Sequence, residues 1–179
     1  KEKGYDVLLL DSPIVSHLIQ KLEADNESLT FARVDADHID KLINKEETQI
    51  SKLADGILIL SLLSGRNAEY LVGKHVKAAS KIKASKLTPI PTGYILVDGD
   101  KTSTTQKITK TKPLQSKKEI IETAIAGELL GKQLIYLEAG SGAKKTLHTS
   151  VIKEVKKHIS IPLIIGGGIN SITKAKNIL

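Results

Sequence analysis

The chain has 179 residues, 40% of them apolar and 26% charged, enough for one domain with a buried core. It contains no cysteine, which excludes disulfides, thiolate metal sites and a cysteine nucleophile, and no apolar run approaches the ~20 residues of a membrane-spanning helix. Its +7 charge, from 27 Lys and Arg against 20 Asp and Glu, suits an anionic partner, but four Tyr and one Phe cannot furnish the stacking platform that would point to nucleic acid.

Near the start, Val7 to Leu10 reads as a strand, Ile14 to Ala24 as a helix, and Leu29 to Val34 (LTFARV) as a strand ending at Asp35-Ala36-Asp37. Ile57 to Leu63 (ILILSLL) is too short and too continuously apolar for a surface helix, so a buried strand closed by Ser64-Gly65-Arg66-Asn67 is expected. Helical spacing follows over Glu69 to Ser80, then a strand over Thr88 to Val97 ending at Asp98-Gly99-Asp100. Residues 101 to 116 are polar, threonine-rich and aperiodic, and read as a long loop.

Glu119 to Leu130 is expected to be a helix with Ile120, Ile121, Ala124, Ile125 and Leu129 on one face and Gly131 at its C-terminal end. A strand over Gln133 to Glu138, a helix over Ser150 to His158, a strand over Ile161 to Ile165 and a last helix from about Ser171 complete the series. This succession of strand and helix predicts a parallel α/β fold, either an open doubly wound sheet or a barrel. No linker suggests a second domain, and with no cleavable signal pattern at Lys1 a cytoplasmic address is expected.

Chemistry in such folds gathers at the carboxyl edge of the sheet, where loops expose free backbone groups and helix N-termini. Gly166-Gly167-Gly168 follows a strand there, and glycines in that place let backbone N–H groups approach a phosphate; an unliganded tight turn is the plain alternative. Tyr136-Leu137-Glu138-Ala139-Gly140-Ser141-Gly142 pairs a strand-end carboxylate with a second glycine turn, making Glu138 a candidate general base, with a helix cap or a lysine partner as the plain alternative. Thr92 and Tyr94 share one side of their strand by its period of two and face either a ligand or the core. Asp35 and Asp37 are carboxylates of the kind that hold Mg²⁺, although Asp after a strand is also ordinary turn chemistry. The five histidines show no metal-ligand spacing.

The stretches LSLLSGRNAEYLVGKHV (60 to 76), IPTGYILVDG (90 to 99), AGELLGKQLIYLEAGSGA (126 to 143) and IPLIIGGGI (161 to 169) resemble the geranylgeranylglyceryl phosphate synthase family. The resemblance implies a (β/α)₈ barrel of the TIM type that joins geranylgeranyl or a similar prenyl diphosphate to sn-glycerol 1-phosphate, with Mg²⁺ holding the diphosphate. It implies that Glu138 is the base, that Tyr94 lies at the reacting centre, and that Asp35 is the metal ligand. Glycerol phosphate would be held by Arg33, by Tyr136, Leu137, Glu138, Ala139, Gly140, Ser141 and Gly142, and by Gly167 and Gly168. A homo-oligomer, peripheral to the membrane at most and without nucleic acid, is also implied.

Some positions depart from the family. Ala36 and His38 stand where it has Pro and usually Lys. Two further strands are expected near 45 to 49 and one after Leu179, so the expectation is a single barrel domain of which this sequence carries an incomplete set of strands. Two rival readings follow from the same residues: a sugar-phosphate isomerase or synthase with a polar site, and a non-catalytic remnant that keeps only the phosphate cup.

Overall fold

A computed structural model of the chain describes residues 31–34, 56–140 and 143–178. The expected elements before Phe31, and Asp35, Asp37, Ser141 and Gly142, lie outside the described residues. The sheet has five strands in the order of the chain, β1 (Phe31–Val34), β2 (Gly56–Leu62), β3 (Thr88–Leu96), β4 (Leu134–Glu138) and β5 (Leu163–Gly166). Every neighbouring pair is parallel. Helices α1 (Lys74–Ser85), α2 (Thr104–Thr109), α3 (Lys117–Leu129), α4 (Thr149–His158) and α5 (Ile172–Ile178) lie between and after them. Successive parallel strands joined by helices are the staves of a (β/α) barrel. In the described sheet β1 is hydrogen-bonded directly to β2, with Arg33 opposite Leu58. No helix among the described residues is long and apolar enough to cross a membrane.

Alternation along the strands divides the core in two. Leu58, Leu60, Leu62, Tyr94, Leu96, Leu134, Tyr136 and Ile164 form one cluster on the inner face. Ile95, Val97, Ile135, Leu137, Leu163 and Ile165 point the other way and pack with Ile120 and Ala124 of α3 and Ile152 and Val155 of α4. The helix α3 comes close to β3 because both lack a side chain at the contact. A Cβ at either Gly93 or Gly127 would stand 2.7 Å from the same Leu63 Cδ1.

Three sequence expectations need correction. Leu129 is 82% exposed; nine residues beyond Ile120 is about two and a half helical turns, which carries it to the opposite side. Buried Thr123 and Gly127 share the inner face with Ile120 and Ala124 instead. Residues 101 to 116 are not a plain loop, since they contain α2, opened by a capping box between Ser103 and Gln106, and Leu114 bridges to Val97. The helix expected to end at Ser80 runs on to Ser85, after a π-helical turn over Glu69–Gly73.

Between α1 and the sheet, His75 Nε2 donates to the Leu60 carbonyl at 2.7 Å, and Lys132 Nζ donates to buried Ser61 Oγ at 2.7 Å. Burial holds both groups below their usual pKa ranges, and the Lys132 charge pushes His75 further down, against the opposing pull of the Leu60 carbonyl. A His75 pKa below its ordinary 6.5 means the unfolded chain binds the proton more readily. Stability from this site is therefore complete above pH 6.5 and is lost as pH falls through the lower folded value. Urea unfolding between pH 7 and 5 should show falling stability, with a smaller fall in His75→Gln.

Candidate active site

Glu138 ends β4 and is 1% exposed. A buried carboxylate is costly without donors, and two are supplied locally. The Tyr136 hydroxyl, two residues back on the same face, donates a short hydrogen bond to Oε2, and the Gly140 N–H donates to Oε1 at 2.7 Å. Gly140 can turn its amide back onto the acid because its φ is +99°, a conformation open chiefly to glycine. In β3, Tyr94 is in register with Tyr136; the rings meet edge to face with centroids 5.2 Å apart, a favoured aromatic arrangement. Tyr94 Oη lies 3.4 Å from Thr105 Oγ1 of α2. Thr92 shares that side of β3, but its hydroxyl donates to the Ile90 carbonyl at 2.9 Å.

The two glycine turns meet at this same edge. Glu138 is in register with Gly166, and the Ala139 N–H donates to the Gly166 carbonyl at 3.0 Å. A Cβ on Gly166 would run into the Tyr136 hydroxyl and lie 2.5 Å from Glu138 Oε2. Gly167, at φ +87°, leaves only 2.8 Å between a notional Cβ and the Gly140 nitrogen. Gly168, at φ +72°, packs equally closely on the Lys145 carbonyl. The Gly166–Gly168 run thus serves contact with the Gly140 turn as well as chain reversal.

Of the residues singled out in the sequence, Tyr94, Tyr136, Glu138, Gly140, Gly167 and Gly168 are brought together. Leu137 belongs to the helix-side core and Ala139 packs there too, so their side chains face away from the Tyr136–Glu138 pair. Arg33 is placed only by its backbone register in β1. Sequence reasoning missed α2 as a neighbour of the site. Ser103, its N-cap, is 3% exposed and its Cβ lies 2.8 Å from the Cβ position of Gly140. It also missed Gly99, where a Cβ would strike the Ala139 carbonyl. The capping pattern Ser103-x-x-Gln106 was the available signal for α2; the contacts themselves have no sequence signal.

Tyr136→Phe keeps the ring packing and removes one donor from a buried carboxylate. We expect a loss of about 1.5–3 kcal/mol in urea unfolding.

The match to known proteins follows this geometry. The PcrB family profile aligns with residues 23–179. The chain belongs to the PcrB family. Similar proteins include the geranylgeranylglyceryl phosphate synthase of Zunongwangia profunda, 53% identical over 133 residues, or 73% of this chain and 57% of that protein. The synthase of Pyrococcus horikoshii is 31% identical over 185 residues, spanning 100% of this chain and 69% of that protein. A solved structure of (S)-3-O-geranylgeranylglyceryl phosphate synthase from Thermoplasma acidophilum, in complex with its substrate sn-glycerol-1-phosphate, superposes with a TM-score of 0.72. It is 29% identical and the match covers 98% of this chain and 69% of that one. The chain spans about half the length of most of the curated relatives it matches, with 57%, 51% and 52% of three of them covered.

Proposed function

We propose that this PcrB-family chain carries the site of a prenyltransferase that joins a prenyl diphosphate, geranylgeranyl or similar, to sn-glycerol 1-phosphate. The observation that carries this reading is the convergence of Glu138 with the Gly140 and Gly166–Gly168 turns at one strand edge. The likeness to synthases, one of them solved with sn-glycerol-1-phosphate, supports it. In this reading the phosphate rests on the amides of Gly167 and Gly168 and of Ser141 and Gly142, which follow Gly140, with Tyr136 beside the glycerol and Arg33 as a cation for its phosphate.

Glu138 receives the proton of the C3 hydroxyl as that oxygen bonds to C1 of the prenyl group and diphosphate departs with the electron pair of the broken C–O bond. A carboxylate accepts up to about four hydrogen bonds, so holding Tyr136 and Gly140 does not preclude taking a substrate hydroxyl as well. Tyr94, whose ring meets that of Tyr136 edge to face, would border the reacting carbon. The hydrocarbon chain requires an apolar groove, which a sugar-phosphate enzyme would not need.

Mg²⁺ would supply charge neutralisation at the leaving diphosphate. Among the described residues there is no cluster of three or more His, Asp or Glu that could hold a metal. Mg²⁺ relies on one or two carboxylates together with substrate phosphates and water; Asp35, directly after β1 in sequence, is the residue proposed to hold it. A homo-oligomer working beside the membrane that receives its product fits the same reading. The test is incubation with Mg²⁺, labelled sn-glycerol 1-phosphate and prenyl diphosphates of several lengths. Label is expected in the organic extract; phosphate binding with no extractable product at any chain length would defeat the proposal.

A further inference from the structure

A cavity of about 700 Å³ opens on the helix side of the sheet, behind the glycine turns. Its floor is apolar: Val97, Leu114, Ile120 and Leu147 line it, and none is more than 8% exposed. Its rim carries Lys144, Lys145 and Lys174 against Asp98 and Asp100. Both aspartates are already engaged. Asp98 accepts from Gln115 Nε2 at 2.9 Å and from the Asp100 N–H at 3.1 Å, and Asp100 Oδ2 lies 2.6 Å from Lys145 Nζ. Lys174 Nζ donates to the Gly168 carbonyl at 3.2 Å, while Lys144 has no ion pair among the described residues.

The opening turns of α3 and α4 border the same space through Ile120 and through Thr149 and Val151, adding the partial positive charge of two helix N-termini. The volume falls in the range of small-molecule sites, roughly 300–1,000 Å³. Surplus positive charge above an apolar floor selects a ligand that is charged at one end and greasy at the other. We propose that this cavity is a second ligand site, distinct from the glycine turns, for a small amphipathic anion. Its phosphate or carboxylate head would meet Lys144 and Lys174, and its short hydrocarbon body would lie on Val97, Leu114 and Ile120.

This goes beyond the proposed reaction and does not depend on it. The test is calorimetric titration of the chain with hexyl phosphate and with hexanoate, each with and without saturating sn-glycerol 1-phosphate, and with inorganic phosphate and hexanol as controls. At least one of the amphiphiles is expected to bind in both conditions, and the two heads together show whether phosphate or carboxylate is preferred. Lys144→Glu should weaken that binding roughly tenfold, and Val151→Trp, which fills the space, should abolish it. Both controls should bind far more weakly. No binding of either amphiphile, inorganic phosphate binding as tightly as hexyl phosphate, displacement by sn-glycerol 1-phosphate, or indifference to Lys144→Glu would each overturn the proposal. Lys144 is exposed, so that variant keeps the test valid if Val151→Trp does not fold. Failure of sn-glycerol 1-phosphate itself to bind bears only on the proposed reaction.

Discussion

Glu138→Gln should leave the fold intact and lower prenyl transfer by about 10²–10⁴-fold, the usual worth of a positioned general base. The amide has the size and shape of the acid, so its oxygen can still accept from Gly140 N–H, and Tyr136 Oη can turn to accept from the new amide group. What is lost is the ability to hold a proton from the substrate hydroxyl. Turnover with labelled sn-glycerol 1-phosphate should therefore collapse while the urea midpoint and the affinity for sn-glycerol 1-phosphate change little. A variant that kept full turnover would remove Glu138 from the chemistry. One that lost turnover and unfolded together would make it a structural acid.

The second large effect is expected at Gly167→Ala. The backbone there sits at φ +87°, where an L side chain costs about 1–2 kcal/mol. The new Cβ would also stand 2.8 Å from the Gly140 nitrogen and 2.9 Å from both the nitrogen and the Cβ of Ala139. Two of these atoms are backbone and cannot swing aside, so overpacking adds about 1–3 kcal/mol. Either the fold loses about 2–5 kcal/mol by that sum, or the two turns part and anion binding is lost. Gly131→Ala is the internal control. It too has a positive φ, of +79°, but nothing lies within 4 Å of its Cβ position, so it should carry the φ cost alone. Equal effects at the two glycines in urea unfolding would show that the close approach of the turns contributes nothing.

The strands were legible because strands buried on both faces read as continuous apolar runs; Gly56–Leu62 and Leu134–Glu138 are such runs, and Thr88–Leu96 is buried over its second half. The site was legible in part for the same reason, since glycine turns and one carboxylate mark the ends of those runs. Register was not, so the meeting of Tyr94 with Tyr136 and of Glu138 with Gly166 needed the sheet itself. The threonine-rich helix Thr104–Thr109 has weak intrinsic helix propensity. It is held by tertiary contacts, with Thr105 Oγ1 beside Tyr94 Oη and the Ile108 carbonyl accepting from Tyr70, and no local pattern encodes these. Leu129 misled for a different reason: near a helix end, an apolar residue can fit a loosely drawn stripe while facing solvent.

Backbone amide chemical shifts measured during titration with sn-glycerol 1-phosphate test the central claim most directly, because they follow each turn separately. The amides of Gly167 and Gly168 and those of the Gly140 turn are expected to move together, along one saturating curve. Saturable shifts confined to residues away from this strand edge, with the glycine amides unmoved, would contradict the account.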